Sequence, residues 1–171
     1  MVTSTAVTAV DEDAAYSYTV TATDVDVGDT LTMTGTTVPS WLTFDATTGI
    51  LAGTPLNANV GANSVVITIN DGTVDVTDTF TITVANTNDA PTFTSTAVTA
   101  VDEDAAYSYT AAASDDDGDT VTLVGTTIPA WMTFDATTGA LTGTPTNAEV
   151  GRHAVVITAT DTNSASTTDS F

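Results

Sequence analysis

The side chains able to do chemistry in this sequence are carboxylates: 22 Asp and Glu stand against a single Lys or Arg, for a formal net charge of −21. They gather in short runs, Asp11-Glu12-Asp13, Asp24-Val25-Asp26, Asp115-Asp116-Asp117 and the mixed Asn86-Thr87-Asn88-Asp89. Oxygen donors of this kind suit a hard divalent cation such as calcium, which takes roughly six to eight carboxylate, amide and backbone oxygens. Two carboxylates about 4 Å apart repel by roughly 1 kcal/mol in water and about 4 kcal/mol at an effective dielectric of 20. A divalent ion between them reverses the sign. Asp-Gly and Asp-x-Asp runs are also ordinary turn chemistry, so solvated turns are the competing reading.

Other chemistries fare worse. The chain has one histidine, His153, and no cysteine, which excludes thiolate metal sites and disulfides. His153 has no counterpart in the first half of the sequence, where Asn63 stands in its place, and it reads as a surface residue. Asp115-Asp116-Asp117-Gly118-Asp119 resembles the start of an EF-hand loop, but no Glu closes twelve residues. A glycosidase pair needs two carboxyls across a cleft, whereas these acids fall in turns. The sequence therefore reads as non-enzymatic. Its charge opposes nucleic acid and anionic membrane as partners. No apolar run has the length of a membrane span, and the residues after Met1 lack the basic and apolar regions of a signal peptide. The sequence is read as a segment of something longer.

The elements that must position these acids are repeated. Residues 3–18 return unchanged as residues 94–109, an offset of 91, and from Gly28 and Gly118 to Asp71 and Asp161 the offset is 90. A period near ninety is too long for a solenoid and fits a seven-stranded sandwich of about 100 residues. Two domains follow, 1–88 and 89–171. Apolar and polar residues alternate, with Thr the usual polar partner, as expected of half-buried strands. In the first copy strands are read at 3–9, 16–22, 30–34, 49–52, 64–69 and 76–84, and nothing reads as a helix. Turns are read at Val27-Gly28-Asp29, Thr48-Gly49, Gly53-Thr54-Pro55 and Asn70-Asp71-Gly72. The fold class is all-β, two tandem immunoglobulin-like antiparallel sandwiches. The second copy carries no equivalent of residues 81–85, so its final strand is incomplete. Truncation accounts for that, and so does a strand supplied by another chain.

Trp41 and Trp131 have two readings. Each precedes Leu42 or Met132 and lies three residues before Phe44 or Phe134, a pattern that packs across a core; aromatic faces also stack on sugar rings. Tyr16, Tyr18, Tyr107 and Tyr109 share strand parity in pairs, as a core rim or as an exposed strip.

Pro39-Ser40-Trp41-Leu42-Thr43-Phe44-Asp45-Ala46-Thr47-Thr48-Gly49-Ile50-Leu51-Ala52-Gly53-Thr54-Pro55, with its twin over residues 129–145, resembles the signature of bacterial cadherin-like domains, the dystroglycan-type or "putative immunoglobulin" family. Asn86-Thr87-Asn88-Asp89-Ala90-Pro91 is similar to the calcium linker between cadherin domains, and Asp24-Val25-Asp26 and Asp115-Asp116-Asp117 stand where cadherins have Asp-x-Asp. The resemblance implies a calcium (Ca2+) joint using Glu12 after the first strand, Asn86, Asn88 and Asp89 of the linker, and Asp115, Asp117 and Asp161 of the second domain. Glu103 and Glu149 would then serve a following domain, and Asp24, Asp26 and Asp71 a preceding one. The cadherin Leu-Asp-Arg-Glu motif falls on Leu56-Asn57-Ala58-Asn59, where amides replace both acids, and on Thr146-Asn147-Ala148-Glu149, which keeps one. The function implied is a calcium-stabilised spacer repeat of a large secreted or surface adhesin-type bacterial protein, with adjacent repeats of the same polypeptide as partners. A carbohydrate- or protein-binding module and a self-associating filament subunit completed by strand donation are the alternatives.

Overall fold

Alternating side chains in the first repeat sort onto two sheets. The computed structural model describes every residue except Val27, so the turn read at Val27-Gly28-Asp29 includes one residue outside the described set. The chain folds as two units, Met1–Thr87 and Asn88–Phe171. In the first unit the strands are β1 Ala9–Asp11, β2 Tyr16–Thr19, β3 Thr32–Thr37, β4 Leu42–Asp45, β5 Ile50–Gly53, β6 Gly61–Asn70 and β7 Asp75–Ala85. One sheet runs β1-β7-β6-β3 and the other β2-β5-β4. Every neighbouring pair is antiparallel except β1 with β7, which is parallel over Ala9↔Thr83 to Asp11↔Ala85.

The core lies between the sheets. Leu51, Val65, Ile67 and Ile82 are fully buried, and Tyr16, Tyr18, Ile69 and Val84 nearly so. Burying an aliphatic side chain of this size contributes about 1.5–3 kcal/mol. Trp41 packs against this cluster and meets Tyr16 edge to face at a ring separation of 5.8 Å. Both tryptophans and all four tyrosines are thus core or core rim. Burial, then Tyr18 and Asp78, push the Tyr16 hydroxyl up to about 12. It stays protonated and donates to the Val7 carbonyl at 2.8 Å, while Tyr18 donates to Asp78 at 2.8 Å.

The repeated Thr-Gly-x-Leu-x-Gly-Thr-Pro segment is explained by two close approaches. Gly49 sits at φ +73°, in the β4–β5 hairpin, and a Cβ there would lie 2.5 Å from the Val20 carbonyl oxygen. At Gly53 a Cβ would lie 2.1 Å from the Trp41 carbonyl oxygen. Only glycine lets these backbones touch.

Two strand readings and the absence of any helix need correction. The strand read at 3–9 is not continuous: Val2 bridges to Ala22 on one side, Thr3 N–H donates to Thr21, and only Ala9–Asp11 joins β7 in the other sheet. The segment crosses between sheets, so no single pairing spans it. β4 is an added strand: Leu42 and Phe44 alternate there, but between Pro39 and the following turn it has only four residues and gives little pattern to read. Two single-turn 3₁₀ helices, Asn57–Asn59 and Asn147–Glu149, also occur, closed by local side-chain caps that carry no hydrophobic period.

The second unit has β8 Thr92–Phe93, β9 Tyr107–Thr110, β10 Ala113–Ser114, β11 Thr122–Thr127, β12 Met132–Asp135, β13 Ala140–Gly143, β14 Val156–Thr160 and β15 Ser166–Ser170. They form the sheets β11-β14-β15 and β12-β13-β9, with β8 and β10 paired at one end. Tyr107, Tyr109, Leu141, Val155 and Ile157 make its core. Residues 100–102 have the same sequence as β1 yet form no strand, and β14 begins five residues later than β6 does by repeat alignment.

One core contact separates the units. In the first, Asn63 accepts from the Trp41 indole at 3.0 Å and donates to the Asn59 carbonyl at 2.8 Å. In the second, His153 keeps the contact with the Glu149 carbonyl at 2.6 Å, but the Trp131 indole nitrogen is buried without a partner. His153→Asn is therefore expected to raise the stability of the second unit by about 1 kcal/mol, the worth of one restored hydrogen bond, with Asn63→His acting oppositely on the first. Calorimetric unfolding of the two variants checks both signs.

Candidate functional site

The acids implicated by the sequence stand at strand ends and in loops, where backbone N–H groups are free to meet them. In the first unit, the β1–β7 pairing ends at Asp11↔Ala85, and the next residue, Glu12, donates its N–H to the Ala85 carbonyl at 2.9 Å. That register carries the Glu12 side chain to the Thr87 N–H, which donates to Oε1 at 2.6 Å. Glu12 is only 2% exposed, and its second oxygen, Oε2, is buried with no hydrogen-bond partner. Asn86, on the same strand exit, is exposed.

In the second unit five of the seven predicted residues are tied together. The Asp89 N–H donates to Asp117 Oδ2 at 2.8 Å, and the Asn88 amide donates to Asp161 Oδ2 at 2.7 Å. Asp115 Oδ1 accepts from the Asp117 N–H at 3.0 Å and the Asp119 N–H at 3.3 Å. Its other oxygen, Oδ2, is buried without a partner. Asp161, 6% exposed, also accepts from the N–H groups of Asn163 and Ala165, each at 2.8 Å. The Asn88 amide holds the Asp161 carboxyl below the usual carboxylate range, against the opposing effect of burial and with the help of those backbone donors.

Two members of this group, Asp119 and Asn163, escaped the sequence reading. The Asn163 amide donates to Asp119 Oδ2 at 2.7 Å and to Asn88 Oδ1 at 2.5 Å, linking the loop after β14 to the acidic run and to Asn88. Asn163 replaces Thr73 of the first repeat; such a difference between near-identical copies is a signal available in the sequence. The residues read as serving outer domains are arranged otherwise. The carboxylate oxygens of Asp24, Asp26 and Asp29 come within 4.8 Å of one another, all exposed. Asp71 is held by the Thr73 and Val74 N–H groups. Glu149 caps its own 3₁₀ turn through Thr146, which lowers its pKa, and Glu103 is exposed.

The donor set fits a hard cation. Carboxylate and amide oxygens predominate, and among the described residues two buried carboxylate oxygens, one in each unit, have no donor facing them. A buried, unpaired carboxylate is destabilising by several kcal/mol. With one Lys or Arg for 22 acids, the chain cannot answer them from its own cations.

The profile of the family described as "Putative Ig domain" matches residues 1–85 and again residues 90–171. The chain belongs to that family. A relative of these Ig domains, the serine-rich adhesin for platelets of Staphylococcus aureus, is 35% identical over 143 residues, which cover 80% of this chain. Those residues span only 6% of that adhesin, and 10% of the form from strain MRSA252. Among solved structures, the Ig pair is similar to human protocadherin-24 EC1-2, with a TM-score of 0.51 at 18% identity over 96% of this chain and 90% of that one, a likeness of fold. It also matches an endo-fucoidan hydrolase of glycoside hydrolase family 107 at 28% identity and a TM-score of 0.43, over 95% of this chain and 27% of the hydrolase. No helix among the described residues is long and apolar enough to cross a membrane.

Because the folded pKa of Asp161 lies below the unfolded value, its ionised form stabilises the fold above the ordinary carboxylate range, and that contribution is lost as pH falls through the depressed value. Asp161→Asn is expected to be less stable than the parent at pH 7, the gap narrowing as pH drops below about 4. Thermal melts from pH 2 to 7 in chelator check this; a gap of constant size would refute it.

Proposed function

We propose that this tandem is a calcium-stiffened spacer, a non-catalytic repeat pair within a large extracellular or bacterial surface adhesin-type protein, whose partners are neighbouring repeats of the same polypeptide. The observation that carries the reading is the buried Glu12 carboxylate with one oxygen answered by the Thr87 N–H and the other by nothing. Asp115, with its own orphaned oxygen, supports it, as do Asp161, Asp117 and Asp89 grouped beside it in the second unit. Family membership and the kinship to a bacterial adhesin support the setting.

Glu12, Asn86, Asn88, Asp89, Asp115, Asp117 and Asp161 would hold the ion. Calcium would neutralise charge and fix the strand ends that carry these residues. Repetition suits a rod, where length and stiffness are the product. The packing of both tryptophans into the cores argues against sugar stacking on their faces.

At about 10 mM calcium and dissociation constants of roughly 10⁻⁴ to 10⁻³ M, binding adds about 1.4–2.7 kcal/mol per site. The melting temperature is expected to rise by several degrees on adding calcium and to fall back with chelator. Glu12→Gln should separate the two conditions: as stable as the parent or more so in chelator, because a neutral amide removes the buried charge, yet with at least half of the calcium-induced rise lost. Calorimetry in both conditions measures it. A parent protein whose melting point ignores calcium would end the proposal.

A further inference from the structure

In the loop that follows β6 the first repeat has Thr73, and at the matching place after β14 the second has Asn163. Thr73 is turned back on its own loop: its N–H and its hydroxyl both donate to Asp71 Oδ1, at 2.7 and 2.9 Å. Asn163 keeps the backbone half of that arrangement, its N–H donating to Asp161 Oδ1 at 2.8 Å, but its side chain leaves the loop. The amide nitrogen donates to Asn88 Oδ1 at 2.5 Å and to Asp119 Oδ2 at 2.7 Å. A threonine hydroxyl has one proton to give and could not serve both acceptors, as the two amide protons do.

These bonds close a ring. The Asn163 N–H holds one oxygen of Asp161, the Asn88 amide holds the other at 2.7 Å, and the Asn163 amide holds Asn88 Oδ1. The Asn88 amide is thereby fixed from both ends, nitrogen to Asp161 and oxygen to Asn163. Through Asp119 the ring reaches the acidic run, because the Asp119 N–H donates to Asp115 Oδ1 at 3.3 Å, and the other oxygen of Asp115 is the one buried without a partner. A lysine or arginine at 163 could also draw these oxygens together, but its charge would repel a cation. A neutral amide gathers them and leaves the field negative. Calcium–oxygen distances of roughly 2.3–2.6 Å keep any two ligands of one ion within about 5 Å of each other. Sharing one nitrogen holds Asn88 Oδ1 and Asp119 Oδ2 to that same limit.

We propose that Asn163 is the positioning residue of the cation site in the second unit, an inference that rests on the calcium reading given above. It acts through Asn88 and Asp119, holding their oxygens at ligand spacing before an ion arrives, so that binding has less order left to impose. The spacing is set by the Asn163 side chain rather than by the turn it sits in, since the turn's own bond to Asp161 comes from the backbone.

The test compares the whole 171-residue protein with Asn163→Thr, which gives the loop the residue of the first repeat, and with Asn163→Leu, close to asparagine in shape but without a donor. Calcium chloride is titrated into each while the amide resonances of residues 115–119 are followed by NMR, which reads the second unit alone. The dissociation constant from these resonances is expected to rise by about tenfold or more in both variants, the effect typical of an outer-shell group. In chelator, the Asp117 and Asp119 amides bound to Asp115 should exchange faster than in the parent, while those of β14 and β15 do not change. A role confined to the turn at Asp161 would not move them. Calcium affinity unchanged in either variant overturns the inference and leaves the calcium reading standing. Weaker binding accompanied by faster exchange throughout β13, β14 and β15 assigns the loss to general destabilisation and overturns it as well. A parent protein whose resonances ignore calcium overturns the spacer proposal, and this inference with it.

Discussion

Backbone pairing is the constraint on which the rest of this molecule depends. A strand that buries one face must also satisfy its N–H and C=O groups, and the unpaired alternative is expensive away from water. In the first unit β7 meets that demand twice, holding β1 on one side and β6 on the other, while Ile82 and Val84 close the core beneath. In the second unit the same sequence at residues 100–102 forms no strand, and the counterpart of β6 runs over Val156–Thr160. The apolar pattern alone does not make these strands; the pattern and a partner do.

The charge is organised by the same framework. Asp78 and Asp169, within β7 and β15, accept from the buried Tyr18 and Tyr109 hydroxyls, and most other acids are collected at strand ends and in loops, where N–H groups released from pairing can receive them. Asp45 and Asp135 each accept from two Thr N–H groups in the hairpin between the paired strands, which holds both carboxyls below the usual range. Asp71 does the same in the loop that follows β6. These turns need no cation. Glu12 and Asp115 differ from them in having one oxygen answered and the other buried and unanswered, and that difference separates a turn carboxylate from a candidate ligand.

How far the sequence discloses all this follows from the range of the forces involved. The all-β tandem is legible because alternation and repetition are local patterns, visible as Phe80, Ile82 and Val84 against Thr79, Thr81 and Thr83. The crossing of residues 2–9 from one sheet to the other is not, because Val2↔Ala22 and Ala9↔Thr83 are pairings of very different sequence separation that no local window sees. Asn163 joins the second unit's cluster through side-chain reach across 44 and 75 positions, which no motif encodes. The tryptophans resolve into core only once Tyr16 and Tyr107 are seen edge-on against them. Asn88 meets Asp161 and Asp89 meets Asp117 through hydrogen bonds between residues far apart in the sequence, while Glu149 is turned to its own 3₁₀ cap.

Pairing and charge meet at Glu12. The same five residues, Asp-Glu-Asp-Ala-Ala, occur at 11–15 and 102–106, yet Glu12 is buried and Glu103 exposed. The first difference along the chain is the parallel ladder: it ends in the Glu12 N–H bonded to Ala85, and two residues further the Thr87 N–H reaches the carboxylate. The fixed Glu12 carboxylate is therefore a product of the strand, held where β7 runs beside β1. A cation held at Glu12 would in turn fasten the end of β1 to the exit of β7, the parallel pair that has only three residues of register to hold it. The β1–β7 pairing and cation binding would then reinforce each other, because each needs the arrangement the other stabilises.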